Sequence, residues 1–275
     1  MVEHQVIKRD GVDIAVQSVG SGPGIVVVGG GGVTAKQYRR FATALSGYST
    51  VHLYDRRGRE NAVARNADDT VADDIADLAA VMAGTGSRNV VGHSGGGFVV
   101  LRAALELPLD RIALYDAAVN VDNIFPTAYL DDFEAAIKAG DRARAIAVVG
   151  KGLRSAGALS SLPLGIQIAI AKLFLWTPIG RTMGELLPTT LLEVREIQAY
   201  AGPASDYAGI TSDVLLATGA WSPPYYRPVN EALARVMPNA RTAVVPRSAH
   251  DGINIARAAF MKPFASFFAT PVPAL

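Results

Sequence analysis

The sequence predicts an α/β fold: a doubly wound, mostly parallel sheet of about eight strands with a helical cap. Three observations predict it. Short runs of β-branched and apolar residues alternate with segments whose apolar positions recur at helical spacing. Most of those runs end in glycine or aspartate, the residues of tight turns. Between 119 and 202 the alternation stops and only helix-like stretches remain, such as 131–138 and 162–175.

Each element follows in chain order. The segment 4–18 alternates around Asp10-Gly11 and reads as a hairpin. A buried-strand run, Gly24-Ile25-Val26-Val27-Val28, ends in four glycines, Gly29 to Gly32. A second run, 50–54, ends in Asp55-Arg56-Arg57-Gly58. A helix is expected over 70–82, with Asp73, Asp74 and Asp77 on the face opposite its apolar stripe. The run 89–91 leads into Gly92-His93-Ser94-Gly95-Gly96-Gly97 and a helix from Phe98 to Leu105. Residues 111–115 form a strand ending at Asp116, and 213–218 one ending at Gly219. The run 241–246 leads to His250, with helices expected over 230–237 and 253–268. The core is therefore assigned to 1–118 and 203–275. The cap, 119–202, is expected over the C-terminal edge of the strands, where such sheets bind ligands.

Composition narrows the function. With 50% hydrophobic and 19% charged residues, the 275-residue chain has material for a sizeable core and no disordered character. The 26 basic and 25 acidic residues give a net charge of +1, and outside the short Arg56-Arg57-Gly58-Arg59 cluster no basic stripe suggests nucleic acid. Absence of cysteine removes disulfides, thiolate metal sites and cysteine nucleophiles, and fits a reducing compartment. The N-terminus lacks the layout of a signal peptide. The most apolar stretch, 162–180, is interrupted by Gln167 and Lys172, whereas a membrane span needs about 20 nearly uncharged residues. It reads as a buried or cleft-lining helix, with loose membrane association as the alternative. The expectation is a cytoplasmic protein without an integral membrane span, acting as monomer or homodimer.

The chemistry centres on Gly92-His93-Ser94-Gly95-Gly96, a G-x-S-x-G pattern. A serine held on a sharp strand-to-helix turn needs small residues two before and two after it, since side chains there would collide with the turn. Among 27 glycines the pattern arises easily by chance, but here it follows a strand run and precedes a helix. With these features the chain resembles the α/β-hydrolase superfamily over nearly its whole length outside the helical insertion. The glycine run resembles the oxyanion loop of that family, Asp55-Arg56-Arg57-Gly58-Arg59 its D-x-x-G turn, and His250 its catalytic base after the last strand. The resemblance implies that Ser94 is the nucleophile.

Backbone N–H groups are suited to hold the oxyanion of a tetrahedral intermediate. Gly95 should supply one. The second should come from the glycine run, where alignment by the downstream aromatic, Tyr38, indicates Gly31. Gly29 stands where the family usually has histidine, which leaves Gly30 and Gly32 as alternatives. Of four histidines, His4 lies in the hairpin and His52 within a strand, and strand alternation should turn His93 away from the nucleophile. His250 is left as the base. The acid is less direct. The loop that usually carries it in the family, Gly219 to Pro224, holds no carboxylate. Asp213 lies at the wrong sheet edge, and Asp251 adjoins His250 too closely to orient it. Asp116, at the end of the preceding strand where some family members place their acid, is the candidate, with an acid-free dyad as the alternative.

The combined expectation is a serine hydrolase that cleaves an ester, lactone or related acyl bond of a small apolar or aromatic substrate, without metal or other cofactor. The apolar cap residues Ile124, Phe125, Tyr129, Leu164, Ile168, Phe174, Leu175 and Trp176 are pocket candidates, with Phe174 and Trp176 foremost and Trp221 beside the usual acid position. Two other readings use the same residues: a cofactor-independent oxygenase or lyase-type enzyme in which the His–Asp pair deprotonates substrate, and a ligand-binding receptor with slow turnover.

Overall fold

The computed structural model describes residues 2–269; Met1 and residues 270–275, both assigned above to the core, lie outside them. Eight strands form one sheet: β1 (Val2–Arg9), β2 (Val12–Gly20), β3 (Gly24–Val28), β4 (Thr50–Tyr54), β5 (Asn89–His93), β6 (Arg111–Tyr115), β7 (Asp213–Gly219) and β8 (Ala240–Val245). Their spatial order is β1-β2-β4-β3-β5-β6-β7-β8. The β1–β2 hairpin and the β2–β4 pair are antiparallel, and every other pair is parallel. The order of winding reverses between β3 and β5. Their carboxyl ends carry the glycine run and Ser94, so the crevice at the switch point opens between those two loops.

Eleven α-helices occur among the described residues. Between core strands lie α1 (Arg39–Leu45), α2 (Val71–Thr85) and α3 (Gly95–Ala103). The insertion between β6 and β7 contains α4 (Leu130–Lys138), α5 (Arg142–Gly152), α6 (Leu164–Phe174), α7 (Pro178–Glu185) and α8 (Leu187–Ala199). The chain finishes with α9 (Tyr226–Val236), a single turn α10 (Gly252–Ile255) and α11 (Ala258–Ala269). The insertion's two ends meet in an isolated bridge, Val121 to Gly202, and it contains no strand.

Strand alternation divides the core in two. On one face Val26, Val28, Val90, Ile112 and Leu114 pack with Leu78 of α2, Leu101 of α3 and Leu233 of α9. That cluster continues into the insertion through Leu130, Phe133 and Val148. On the other face Ile25, Val27, Val91, Ala113 and Leu215 pack with Phe41 of α1 and Phe260 and Phe264 of α11. Both faces being covered explains why these strands read as continuous apolar runs.

Helix α2 departs from its sequence pattern. Asp74 and Asp77, expected on a solvated face, are buried. Asp74 receives Arg56 through two hydrogen bonds, at 3.1 and 2.8 Å, and Arg65 at 2.8 Å. Asp77 receives Arg57 at 2.8 Å. The basic cluster after β4 is therefore internal. Burial alone would depress the Arg56 guanidinium, but Asp74 and Glu193 against it hold it above its ordinary range. The same guanidinium keeps the buried Asp74 carboxyl well below the usual carboxylate range. No helix among the described residues is long and apolar enough to cross a membrane.

Candidate active site

The elbow is built by exclusion. Ser94 has φ 52° and ψ −124°, a left-handed conformation costly for any residue with a Cβ. A Cβ on Gly96 would overlap the Val28 carbonyl, and one on Gly92 would lie 2.8 Å from the Gly97 Cα. Either side chain would push β3 or α3 away. Hydrogen bonds hold the turn: Ser94 N–H donates to the Tyr115 carbonyl at 3.2 Å, and the Ser94 carbonyl accepts from Gly97 and Ala118, both at 2.9 Å.

Asp116 is the second strained residue, with φ 46° at the end of β6. Its side chain is fully buried, and three groups converge on it. Oδ1 accepts from the Thr218 hydroxyl at 2.6 Å; Oδ2 accepts from the Ser222 hydroxyl at 2.6 Å and from His250 Nδ1–H at 3.1 Å. A carboxylate can only accept, so Nδ1 carries the proton and Nε2 is left as the acceptor facing the cavity. The loop after β7 thus holds the carboxylate on the neighbouring strand rather than supplying one. Thr218 and Ser222 were not found from the sequence; the polar residues closing an apolar strand were the available signal.

The His250 ring packs against two others. Tyr226 of α9 stacks on it at 5.4 Å and 4°, and the His93 ring lies 4.7 Å away, tilted by 38°. His93 corrects an expectation: its ring is packed beside the candidate base rather than turned away. Alternation does put His93 on the face of Val91, against Tyr38 and Tyr115, and the loop after β8 brings His250 onto that same side. His93 Nε2 lies 3.0 Å from the His250 carbonyl, which accepts only, so this nitrogen bears the proton. Nδ1 then accepts from the Tyr38 hydroxyl at 2.8 Å, and the Tyr38 oxygen accepts from Gly30 N–H at 2.8 Å. One chain of hydrogen bonds therefore ties the glycine loop to the backbone of His250. Burial lowers the His93 pKa well below its ordinary value, helped by His250 alongside, and burial pushes Tyr38 up to about 12, so both stay neutral.

Because Gly30 N–H is engaged with Tyr38, it is not available to an oxyanion. Gly31 N–H has no protein acceptor among the described residues and lies 3.7 Å from the Cβ position of Gly95. Gly31 and Gly95 thus lie close together in the cavity wall that Ser94 also lines. The D-x-x-G turn shapes their loop: Arg56 donates to the Gly29 carbonyl at 3.3 Å and Arg59 to the Gly30 carbonyl at 2.9 Å. Glu193 of α8 completes the group. Its Oε1 lies 2.6 Å from Arg59 and 3.3 Å from Arg56, while its buried Oε2 has no partner. Helix α8 is thereby tied to the loop by buried charge.

Ser94, His250, Gly31 and Gly95 line a cavity of about 1030 Å³, which the insertion closes with Phe125, Ile146, Leu153, Phe174, Ile179 and Val194. Phe174 is in this wall, but the structure corrects both tryptophans. Trp176 is 82% exposed, because α6 ends at Phe174 and the next residues turn outward. Trp221 is 63% exposed and lines a separate shallow recess behind the His250 loop. Of the other cap candidates, Phe125 lines the cavity, whereas Ile124, Tyr129, Leu164, Ile168 and Leu175 do not. No group of His, Asp and Glu suited to a metal ion occurs among the described residues.

Fold and site together define a doubly wound sheet with a serine elbow at its switch point, a histidine–aspartate pair beside it and a helical insertion above. The alpha/beta hydrolase family model matches residues 25–262, and the chain belongs to that family. Among solved structures, an alpha/beta hydrolase from Sphaerobacter thermophilus is 26% identical, with 96% of this chain and all of that one covered and a TM-score of 0.77. An esterase from Exiguobacterium antarcticum, 20% identical over 98% of this chain and 100% of its own, has a TM-score of 0.71. A bromoperoxidase from Bacillus anthracis, 18% identical over 98% and 100%, has one of 0.74, and these last two show shared fold alone. No curated protein matches the chain.

Proposed function

We propose that the protein is a serine hydrolase that cleaves an ester, lactone or related acyl bond of an apolar substrate. The observation that carries this reading is the Asp116–His250 hydrogen bond, which leaves a ring acceptor in the cavity that Ser94 also lines. Ser94 Oγ attacks the carbonyl while His250 Nε2 takes its proton, and Asp116 stabilises the resulting imidazolium. The amides of Gly31 and Gly95 receive the oxyanion. His250 then protonates the leaving group, and water, activated by the same nitrogen, releases the acyl group from Ser94. The reading is also supported by the chain's membership of the alpha/beta hydrolase family. The cavity is at the upper end of the usual range for small-molecule sites, and its apolar wall favours an acyl chain or ring system. Phe174 is the wall residue assigned to substrate; residues 119–202 act as the cap.

Labelling with a fluorophosphonate, read by mass spectrometry, tests the nucleophile. The adduct is expected on Ser94 and absent from Ser94→Ala, whose hydrolysis falls by about 10⁶. Turnover surviving in Ser94→Ala at more than a tenth of the wild-type rate would overturn the covalent route. It would favour proton abstraction by His250 and Asp116, the oxygenase or lyase-type reading.

A further inference from the structure

The apolar stretch expected to be buried or to line a cleft does line the cavity through Ala171 and Phe174, but much of it is on the surface. Ile166, Ile170 and Leu173 recur at i, i+4 and i+7 on the outer face of α6, and all three are exposed, Leu173 by 73%. Trp176, at 82%, and Ile179, at 55%, continue the same surface into α7. Globular proteins that stay in water rarely present so many large apolar side chains together.

The charge around this face is mainly basic, the exposed Glu185 at the end of α7 being the one acid within α6 and α7. Between Asp141 and Glu185 the chain has six Lys or Arg and no Asp or Glu. Lys172 and Arg181, which lie within the apolar elements, make no ion pair among the described residues. The face is also continuous with the catalytic cavity. Ile170 and Ile179 line both, and on the core side the exposed Lys36, Arg39 and Arg40 line the same cavity with one exposed acid, Asp251. An apolar face flanked by basic residues thus borders the way in to Ser94.

Two occupants could cover such a face, a second copy of the chain or a lipid surface. Charge decides between them. Two copies packed through it would bring two unpaired basic flanks together, whereas anionic headgroups would neutralise each. We propose that the α6–α7 face seats on an anionic bilayer, with Trp176 and Leu173 in the boundary between headgroups and acyl chains and Lys172 and Arg181 on the phosphates. Amphiphiles partitioned into that bilayer then reach the cavity without crossing water.

The test reads binding and not turnover, so its outcome is independent of the hydrolase reading. The protein is floated with vesicles of phosphatidylcholine alone or with about a third phosphatidylglycerol, at low and high salt. Flotation with the anionic vesicles only, weakened by salt, is expected. In a Trp221→Phe background, emission from Trp176 should shift to the blue on binding and be quenched by brominated acyl chains. Leu173→Ala and Trp176→Ala should each weaken partitioning by about tenfold, and Lys172→Ser and Arg181→Ser by about fivefold each. Failure to float at low salt overturns the proposal, as does binding that none of the four substitutions weakens. A dimer in light scattering that Trp176→Ala dissociates, without flotation, would assign the face to a second copy instead.

Discussion

At the residue scale, two candidate catalytic side chains stand on backbone conformations that few residues tolerate. Ser94 and Asp116 both have positive φ, and each is held by neighbours rather than by its own preference. The carboxylate of Asp116 has three donors, and only one of them is His250. Asp116→Asn keeps the volume but cannot accept in the same way, so His250 loses its fixed tautomer. Its kcat on a short nitrophenyl ester should fall by about 10⁴ with the thermal midpoint changed little. Ser222→Ala removes one donor and leaves the His250 contact, so its cost should show mainly as about 1.5–3 kcal/mol of stability in urea unfolding. Near-normal kcat in Asp116→Asn alongside an inactive His250→Ala would mean that the acid is elsewhere or absent.

At the scale of elements, α8 joins the insertion to the core through buried charge, and α6 contributes the apolar wall. Removing one member of a buried ion group costs far more than removing a surface pair, because the partner is left charged without water. Glu193→Ala leaves Arg59 without an acidic partner beneath the glycine loop, while Arg56 keeps Asp74, and should cost about 3–5 kcal/mol in urea unfolding. Asp13→Ala, which breaks the exposed Lys8 pair at 3.2 Å, should cost less than about 1 kcal/mol. Equal losses would show that the Glu193 group is solvated in solution. Phe174→Ala enlarges the cavity wall without touching Ser94 or His250. It should shift the preference among acyl chain lengths by roughly 10- to 200-fold and keep activity on a small ester. An unchanged chain-length profile would place Phe174 in the packing of the insertion rather than at substrate.

For the whole molecule, the buried ionisable groups set how stability responds to acid. His93 stays neutral when folded, so over an interval below its unfolded pKa of about 6.5 the unfolded chain binds the extra proton. Its contribution is complete above that pH and is lost as pH falls. Asp74 has the same sign at lower pH, because its depressed folded pKa makes its contribution complete above about 3.9 and lost below. Glu196, whose carboxyl burial raises, works in the opposite direction above about pH 4.3. The urea midpoint should therefore decline from pH 6.5 towards 5.5, and His93→Phe should reduce that decline to the share of His52, whose pKa burial also lowers, while leaving the steeper loss below pH 4. An identical slope in the variant would assign the first decline to another group.

What the sequence determined by itself was whatever short-range pattern dictates. Apolar runs ended by glycine or aspartate located the strands, and glycines two before and two after Ser94 located the elbow, because both depend on contacts within a few residues. The candidate acid was legible as well, since Asp116 ends a strand beside the elbow's strand and no carboxylate stood in the loop after β7. Partners far apart in the chain were decided only by the tertiary structure. Nothing near Arg56 and Arg59 in sequence announces Glu193, and nothing near His250 announces His93 or Tyr226. The stretch from Ile166 to Ile179 shows the same limit from the other side. Its composition says that it is apolar, but whether an apolar residue is covered depends on which elements pack over it, and there Phe174 faces the cavity while Leu173 and Trp176 face outward.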